Sequence, residues 1–147
     1  MNHPNSEIMQ KAIKLAAENH DKDKQVVAAI ILKGDKIISE GFTSVKEDSD
    51  PTAHAEINAI RKAAKKLNSH KLEGCWLYTT VEPCPMCASA CVWARMEGIV
   101  YGANMSDAND KITQKVKVKS EEVIANGDPK LKVYGDFMRA ECKALYP

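Results

Sequence analysis

An imidazole and a carboxylate stand two residues apart in Thr52-Ala53-His54-Ala55-Glu56, and two thiols stand three apart in Glu82-Pro83-Cys84-Pro85-Met86-Cys87. His54, Cys84 and Cys87 amount to three donors for a tetrahedral zinc ion, whereas a structural zinc site is normally closed by four. A set that stops at three leaves a position for water, and Glu56 is the base beside it. Charge counting explains the carboxylate. Zn²⁺ with two thiolates and a neutral imidazole sums to about zero, so it acidifies water less than a three-histidine site, which brings the water pKa to ~7. A nearby base then matters more, and the chemistry this set can perform is hydrolysis.

Other uses of the same residues stay open at this point. A fourth ligand would make the site structural, and Cys91 is the candidate, on the same helix face as Cys87. It lies one turn farther along, ~5–6 Å, which suits the same ion poorly. A redox Cys-x-x-Cys would need neither His54 nor Glu56. A zinc-stabilised interaction module without catalysis would have no use for Glu56. Cys75 and Cys142 read as buried apolar fillers, and His3, His20 and His70 lie in polar stretches and read as surface residues.

Both chemical stretches open helices. Asp50-Pro51 is a helix-start signal, Thr52 is the expected N-cap, and the helix runs to about Leu67 with His54 and Glu56 in its first turn. Cys84 to Arg95 forms the second helix, whose positive end favours thiolates at Cys84 and Cys87 and whose spacing puts both sulfurs on one face. His54 and Glu56 are separated by about 200° on an ideal helix, so their cooperation depends on the bend of the first turn.

The elements that must hold these helices follow from periodicity. Ser6 caps a helix to about Asn19 with Ile8, Ala12, Leu15 and Ala16 on one stripe, and the polar run His20 to Lys24 breaks it. Val26 to Leu32 is a buried strand, Lys33-Gly34-Asp35 turns, and Lys36 to Glu40 returns as a second strand. Gly41 to Pro51 reads as a loop. Cys75 to Thr80 is a third strand and Ile99 to Tyr101 a fourth. The β-α-β-α-β order across 52–101 predicts parallel strands with crossover helices. After the polar stretch Asn104 to Lys119, Ser120 caps a short helix to about Asn126, Leu131 to Tyr134 is a fifth strand, and Asp136 caps a last helix, Phe137 to about Leu145.

The 147 residues suit one domain over 1–147, with hydrophobic residues at 44% and charged residues at 28%. Net charge is +1, so nothing draws the whole chain to a polyanion. No apolar run approaches the ~18–20 residues of a membrane span. No signal peptide is visible at Met1-Asn2-His3-Pro4, and the odd count of five Cys fits a reducing interior, with the cytoplasm as the expected compartment.

From Asp50 to Gly102 the chain resembles the cytidine deaminase-like superfamily of zinc deaminases, whose His-x-Glu … Pro-Cys-x-x-Cys signature it carries. The branch with guanine deaminases and tRNA adenosine deaminases is most similar, carried by Asp50-Pro51-Thr52-Ala53-His54-Ala55-Glu56 through Arg61 and by Glu82 to Cys87. Ala90 to Arg95 is similar to guanine deaminase, and Gly135 with Arg139-Ala140-Glu141-Cys142 is more similar to the tRNA enzymes. The resemblance implies a three-layer α/β/α fold with a five-stranded mixed sheet, usually dimeric. It implies zinc on His54, Cys84 and Cys87, with Glu56 as proton shuttle. Substrate-contacting candidates are Thr43, which stands where the family usually has an Asn, together with Phe42, Ala55 and Trp93. Phe42 and Trp93 are placed as partners for a flat base or as core residues, and Val26-Val27-Ala28-Ala29 replaces the family's Pro-(Phe/Val)-Gly-Ala with a bulkier wall. The implied reaction converts an exocyclic ring amine of a free base or small nucleoside, guanine-like in first place, to a carbonyl with release of ammonia. The alternatives are a tRNA adenosine deaminase, whose basic stripe Lys111, Lys115, Lys117 and Lys119 with Arg61, Lys62, Lys65 and Lys66 could supply, and a cytosine- or cytidine-type enzyme. The apolar circumference of Cys84 to Arg95 adds an expected homodimer contact.

Overall fold

The computed structural model of the chain describes every residue other than Lys22, so that part of the polar run after the first helix lies outside the described residues. Five strands form one mixed sheet in the order β2-β1-β3-β4-β5: β1 Ala28–Lys33, β2 Lys36–Phe42, β3 Cys75–Val81, β4 Gly98–Ala103 and β5 Lys132–Tyr134. Helices α1 Ser6–Asn19, α2 Val45–Asp48, α3 Ala55–Leu67, α4 Pro85–Trp93, α5 Ser120–Ala125 and α6 Arg139–Lys143 complete the chain.

The central strands are mostly apolar and almost wholly buried because both faces are covered. Ala29, Ile31, Cys75, Leu77 and Ile99 pack under α3, α4 and α5, while Ile30, Leu32, Trp76, Tyr78 and Val100 pack under α1 and the C-terminal segment. Alternate side chains of one strand therefore enter opposite cores, which is why no polar face interrupts the runs. The three-layer α/β/α expectation holds. Cys75 and Cys142 are fully buried fillers, as expected.

The parallel expectation holds for the strands joined by crossover helices: β1 lies between β2 and β3 and runs antiparallel to both, so β2, β3 and β4 share one direction, while directly paired parallel strands begin at β3–β4 and continue to β5. The tight turn at Gly34, with φ +60, sends β2 back along β1 and places α3 beneath the β2–β1 pair. One consequence matters for the site. The starts of β1 and the ends of β2, β3 and β4 share one edge of the sheet, with Ala28 opposite Phe42 and Val81 opposite Ala103, and α3 and α4 begin there.

Several boundaries differ from expectation for local hydrogen-bonding reasons. Asn5, not Ser6, caps α1, its side chain accepting from the Glu7 and Ile8 amides. Val26 and Val27 precede β1, their amides being bonded to His20 and Thr43 side chains. The loop read from Gly41 to Pro51 loses its first two residues to β2 and contains α2. Ser120 does not cap α5, since Lys119 takes that position and the Ser120 amide donates to Glu82. Asp136 does not cap α6, which starts at Arg139 behind a left-handed Met138; Asp136 instead accepts from Asn104.

Candidate metal and catalytic centre

His54 is the N-cap of α3, not Thr52, and it does not lie in the helical first turn. Thr52 is bound into the preceding turn, its amide and hydroxyl both donating to the Asp50 carboxylate. His54 keeps an extended backbone (φ −72, ψ 158) while Glu56 is the second helical residue. The ideal-helix angle between the two thus does not apply, because the chain bends between them. Cys84 plays the same part for α4: it is the extended N-cap, and Pro85 opens a helix that ends at Trp93, short of Arg95. Two N-caps therefore deliver one donor each, and Cys87 follows from the first turn of α4.

The three donors converge. His54 Nδ1 lies 3.6 Å from Cys84 Sγ and 3.6 Å from Cys87 Sγ, and all three atoms fall within 4.8 Å of one another. A tetrahedral ion with Zn–S of about 2.3 Å and Zn–N of about 2.0 Å separates N from S by about 3.5 Å, so the observed spacing fits zinc. Cys91 is fully buried and stands outside this group, so among the described residues three side chains and not four are gathered for an ion.

The protonation pattern without metal reflects crowding of acidic groups. Hydrogen bonds from Cys87 and His54 bring the Cys84 thiol down to about 4, while Cys87, sharing a proton with Cys84 in a buried position, is pushed far up. The Cys84 contact raises His54. Glu56 is 5% exposed, and burial first, then the Cys84 thiolate, pushes its carboxyl up to about 7, with His54 opposing. A carboxyl poised near neutrality can both accept and return a proton.

The remaining candidates divide. Ala55 is buried at the first position of α3, between the two chemical residues. Thr43 is half-buried at the same sheet edge, its oxygen accepting from the Val27 amide at 3.1 Å, which leaves one O–H to offer. Phe42 is half-buried and its carbonyl accepts from Asn58 at 2.6 Å. Trp93 is not a core residue. It is 83% exposed on α4 and lines a groove of about 580 Å³ shared with α5, none of whose lining residues is His54, Glu56, Cys84 or Cys87.

Three supports were not singled out from the sequence. Asn58 bridges Phe42 and Ser44 to α3. Glu82, buried next to Pro83-Cys84, accepts from the Met105 and Ser120 amides at 2.8 Å each, and Gln114 donates to its carbonyl at 2.7 Å. The polar 104–119 stretch is thus fastened to the cysteine loop. A charged residue inside an apolar strand-to-helix junction was the available signal for Glu82.

Three donors for one ion beside a buried carboxyl are what a zinc-dependent hydrolase requires. Residues 2–103 match the cytidine and deoxycytidylate deaminase zinc-binding region, and the chain belongs to that family. It is 44% identical over 109 residues to a guanine deaminase of Bacillus subtilis, covering 74% of this chain and 69% of that protein. It is 45% identical over 95 residues to a tRNA-specific adenosine deaminase of Aquifex aeolicus, covering 65% of this chain and 63% of that one. A crystal structure in complex with 8-azaguanine superposes with a TM-score of 0.82 at 27% identity, covering 93% of this chain and 79% of that one.

Proposed function

We propose that residues 1–147 act as one deaminase domain on a free purine base, guanine-like, releasing ammonia and leaving a ring carbonyl. His54, Cys84 and Cys87 hold the zinc, which when bound supplies the electrophilic centre that activates water. Glu56 carries one proton of that water to the ring nitrogen as the water oxygen bonds the ring carbon, then carries the second proton from that oxygen to the amine as the carbon–nitrogen bond breaks and ammonia leaves. In this reading Thr43, whose oxygen accepts from the Val27 amide, and the Ala55 backbone border the base, and Phe42 lies on the same sheet edge.

The observation that carries the small-substrate reading is where the cations are. Arg61 is engaged with Asp50 and Thr52, and Lys62 with the Glu40 carbonyl. Lys65 and Lys66 sit in the last turn of α3, about 17 Å of helix from His54. A basic track from α3 to the centre is therefore missing among the described residues. The guanine deaminase relative and the 8-azaguanine complex support the same choice. The second reading, tRNA adenosine deamination, is favoured by the Aquifex relative and by the exposed Lys115, Lys117 and Lys119. Ammonia release from guanine, adenine, cytosine, their nucleosides and an anticodon stem-loop separates them. Turnover of guanine that Glu56→Ala abolishes supports the first reading, and turnover of the stem-loop alone overturns it.

The exposed Trp93, with Val92, Arg95 and Glu122 around the α4–α5 groove, supports pairing of two copies through α4. Sedimentation at micromolar concentration tests this, a monomer counting against it. No described helix is long and apolar enough to cross a membrane. All five cysteines are unpaired, which supports a reducing, cytoplasmic setting.

A further inference from the structure

Val26, Val27 and Ala28 lead into β1 at the sheet edge where the metal donors meet, and side chains from distant parts of the sequence hold their backbone. The Val26 amide donates to His20 Nδ1 at 3.0 Å and its carbonyl accepts from the Tyr146 hydroxyl at 2.9 Å. The Val27 amide donates to Thr43 Oγ1 and its carbonyl accepts from the Thr43 amide. The Ala28 amide donates to Thr80 Oγ1 at 3.2 Å, and Thr80 Oγ1 lies 2.8 Å from the Tyr146 oxygen.

Every proton in this network can be placed. An amide only donates and a carbonyl only accepts. His20 Nδ1 must therefore be the bare nitrogen that accepts from Val26, and Nε2 must carry the hydrogen that goes to the Leu145 carbonyl, 3.0 Å away. The Tyr146 hydrogen is committed to Val26, so Thr80 gives its own hydrogen to Tyr146 and accepts from Ala28. The result is a directed chain from the Ala28 amide through Thr80 and Tyr146 to the Val26 carbonyl. Tyr146 is 3% exposed, and its ring packs 5.6 Å from His20, so both clamps on Val26 come from one buried corner.

From Val27 the contacts continue to the metal. Thr43 is bonded twice to Val27, the next amide, Ser44, donates to the Ala53 carbonyl at 3.0 Å, and Ala53 precedes His54. Asn58 of α3 donates to Ser44 Oγ at 2.9 Å and closes the loop. We infer that His20 and Tyr146 are positioning residues of this site: they grip Val26 by its amide and its carbonyl, and through Val27, Thr43 and Ser44 they hold the substrate-side edge against the residue that supplies the metal's imidazole. Neither touches the reacting atoms. Their kinetic effect rests on the guanine-like reading above, whereas the proton arrangement does not.

The test uses the zinc-loaded protein and two readouts. First, ¹⁵N-detected NMR of the histidine rings in the free protein must show His20 as the Nε2–H tautomer with an unprotonated, hydrogen-bonded Nδ1. This arm needs no substrate, so it stands even where guanine is not turned over. Second, His20→Ala and Tyr146→Phe are expected to raise KM for guanine about three- to tenfold, with kcat within about twofold and unchanged zinc content, as loss of one net hydrogen bond per clamp implies. His20→Gln can accept at its oxygen and donate at its nitrogen, and it is expected to restore KM. An Nδ1–H tautomer, Ala and Gln variants that behave alike, or an unchanged KM in both truncations overturns the inference. Where His20→Ala does not fold, Tyr146→Phe and the wild-type spectrum decide.

Discussion

Gly41→Ala is the substitution through which the packing of β2 on α3 can be read out at the metal. A Cβ built at Gly41 would stand 2.2 Å from the Ala55 carbonyl oxygen, 2.6 Å from the Ala59 amide nitrogen and 3.0 Å from Ala59 Cβ, against ordinary contact from 3.4 Å. The first two neighbours are backbone, so no side-chain rotation relieves the clash and α3 must move away from β2 by about 1 Å. Overpacking of this kind costs about 1–3 kcal/mol in a well-packed core. The first helical residue that would move is Ala55, flanked by His54 and Glu56. A misplacement of about 1 Å at a reacting group lowers rate on the order of 10²-fold. Urea denaturation, zinc content after dialysis and ammonia release are measured together on the variant. All three are expected to fall, and Gly34→Ala serves as the control. Gly34 has φ +60 and nothing within 4 Å of the added carbon, so it pays only backbone strain of about 1–2 kcal/mol and keeps its activity. A Gly41→Ala protein with wild-type zinc and turnover would refute the claim that this contact sets the donors.

Three further outcomes follow from the ionisation pattern. Glu56→Gln should keep zinc and lower kcat by about 10²–10⁴-fold, the loss expected for a general acid–base group. In the metal-free protein the native state keeps this proton up to about 7 while the unfolded chain releases it near 4.5, so stability falls as pH rises between those values. The Gln variant should lack that slope in denaturation curves from pH 4 to 8. Chelator-treated protein should be alkylated by iodoacetamide at Cys84 first at pH 6, because Cys84 alone among the site thiols is brought down, to about 4, while Cys87 and Cys91 are pushed up and buried. Zinc should protect it, and mapping by mass spectrometry to Cys87 or Cys142 instead would contradict this. Asp107, whose side chain is 2% exposed and accepts twice from Arg139 at 2.8 Å, is held down at about 2. Its stabilisation is present above the unfolded value of 3.8 and is lost as pH falls toward about 2. Arg139 is half in solvent, so the contribution is screened, and Arg139→Ala should move the acid transition upward in pH.

What the sequence made legible was what depends on residue type and spacing. His54, Cys84 and Cys87 were readable because metal donors are few and their spacing is restrictive, and the strands were readable because two covered faces leave unbroken apolar runs. The cap positions were not, since Thr52 and His54 can both precede a helix, and only the competing turn at Asp50 takes Thr52 away. Strand order escaped for a related reason: β2-α3-β3 has the length of a parallel crossover whether or not β1 lies between its strands. His3 and His20 were misjudged because polar neighbours describe the chain and not the surface it meets. His3 stacks on Trp76 and bonds to Tyr78, and His20 meets residues 145 and 146. The core reading of Trp93 fails in the opposite sense, since the fold turns this aromatic of an apolar helix outward. The pattern has a single physical source. Donor chemistry is carried by individual residues and can be recognised one residue at a time, whereas the edge inferred above to border the substrate consists of backbone groups in Val26–Ala28 whose partners come from residues 20, 43, 80 and 146. Hydrogen bonds to main-chain groups place almost no demand on the type of the residue they hold, so Val26 and Val27 carry no mark of their role. Substrate preference within this family should accordingly depend as much on the residues that grip that backbone as on those that face the base.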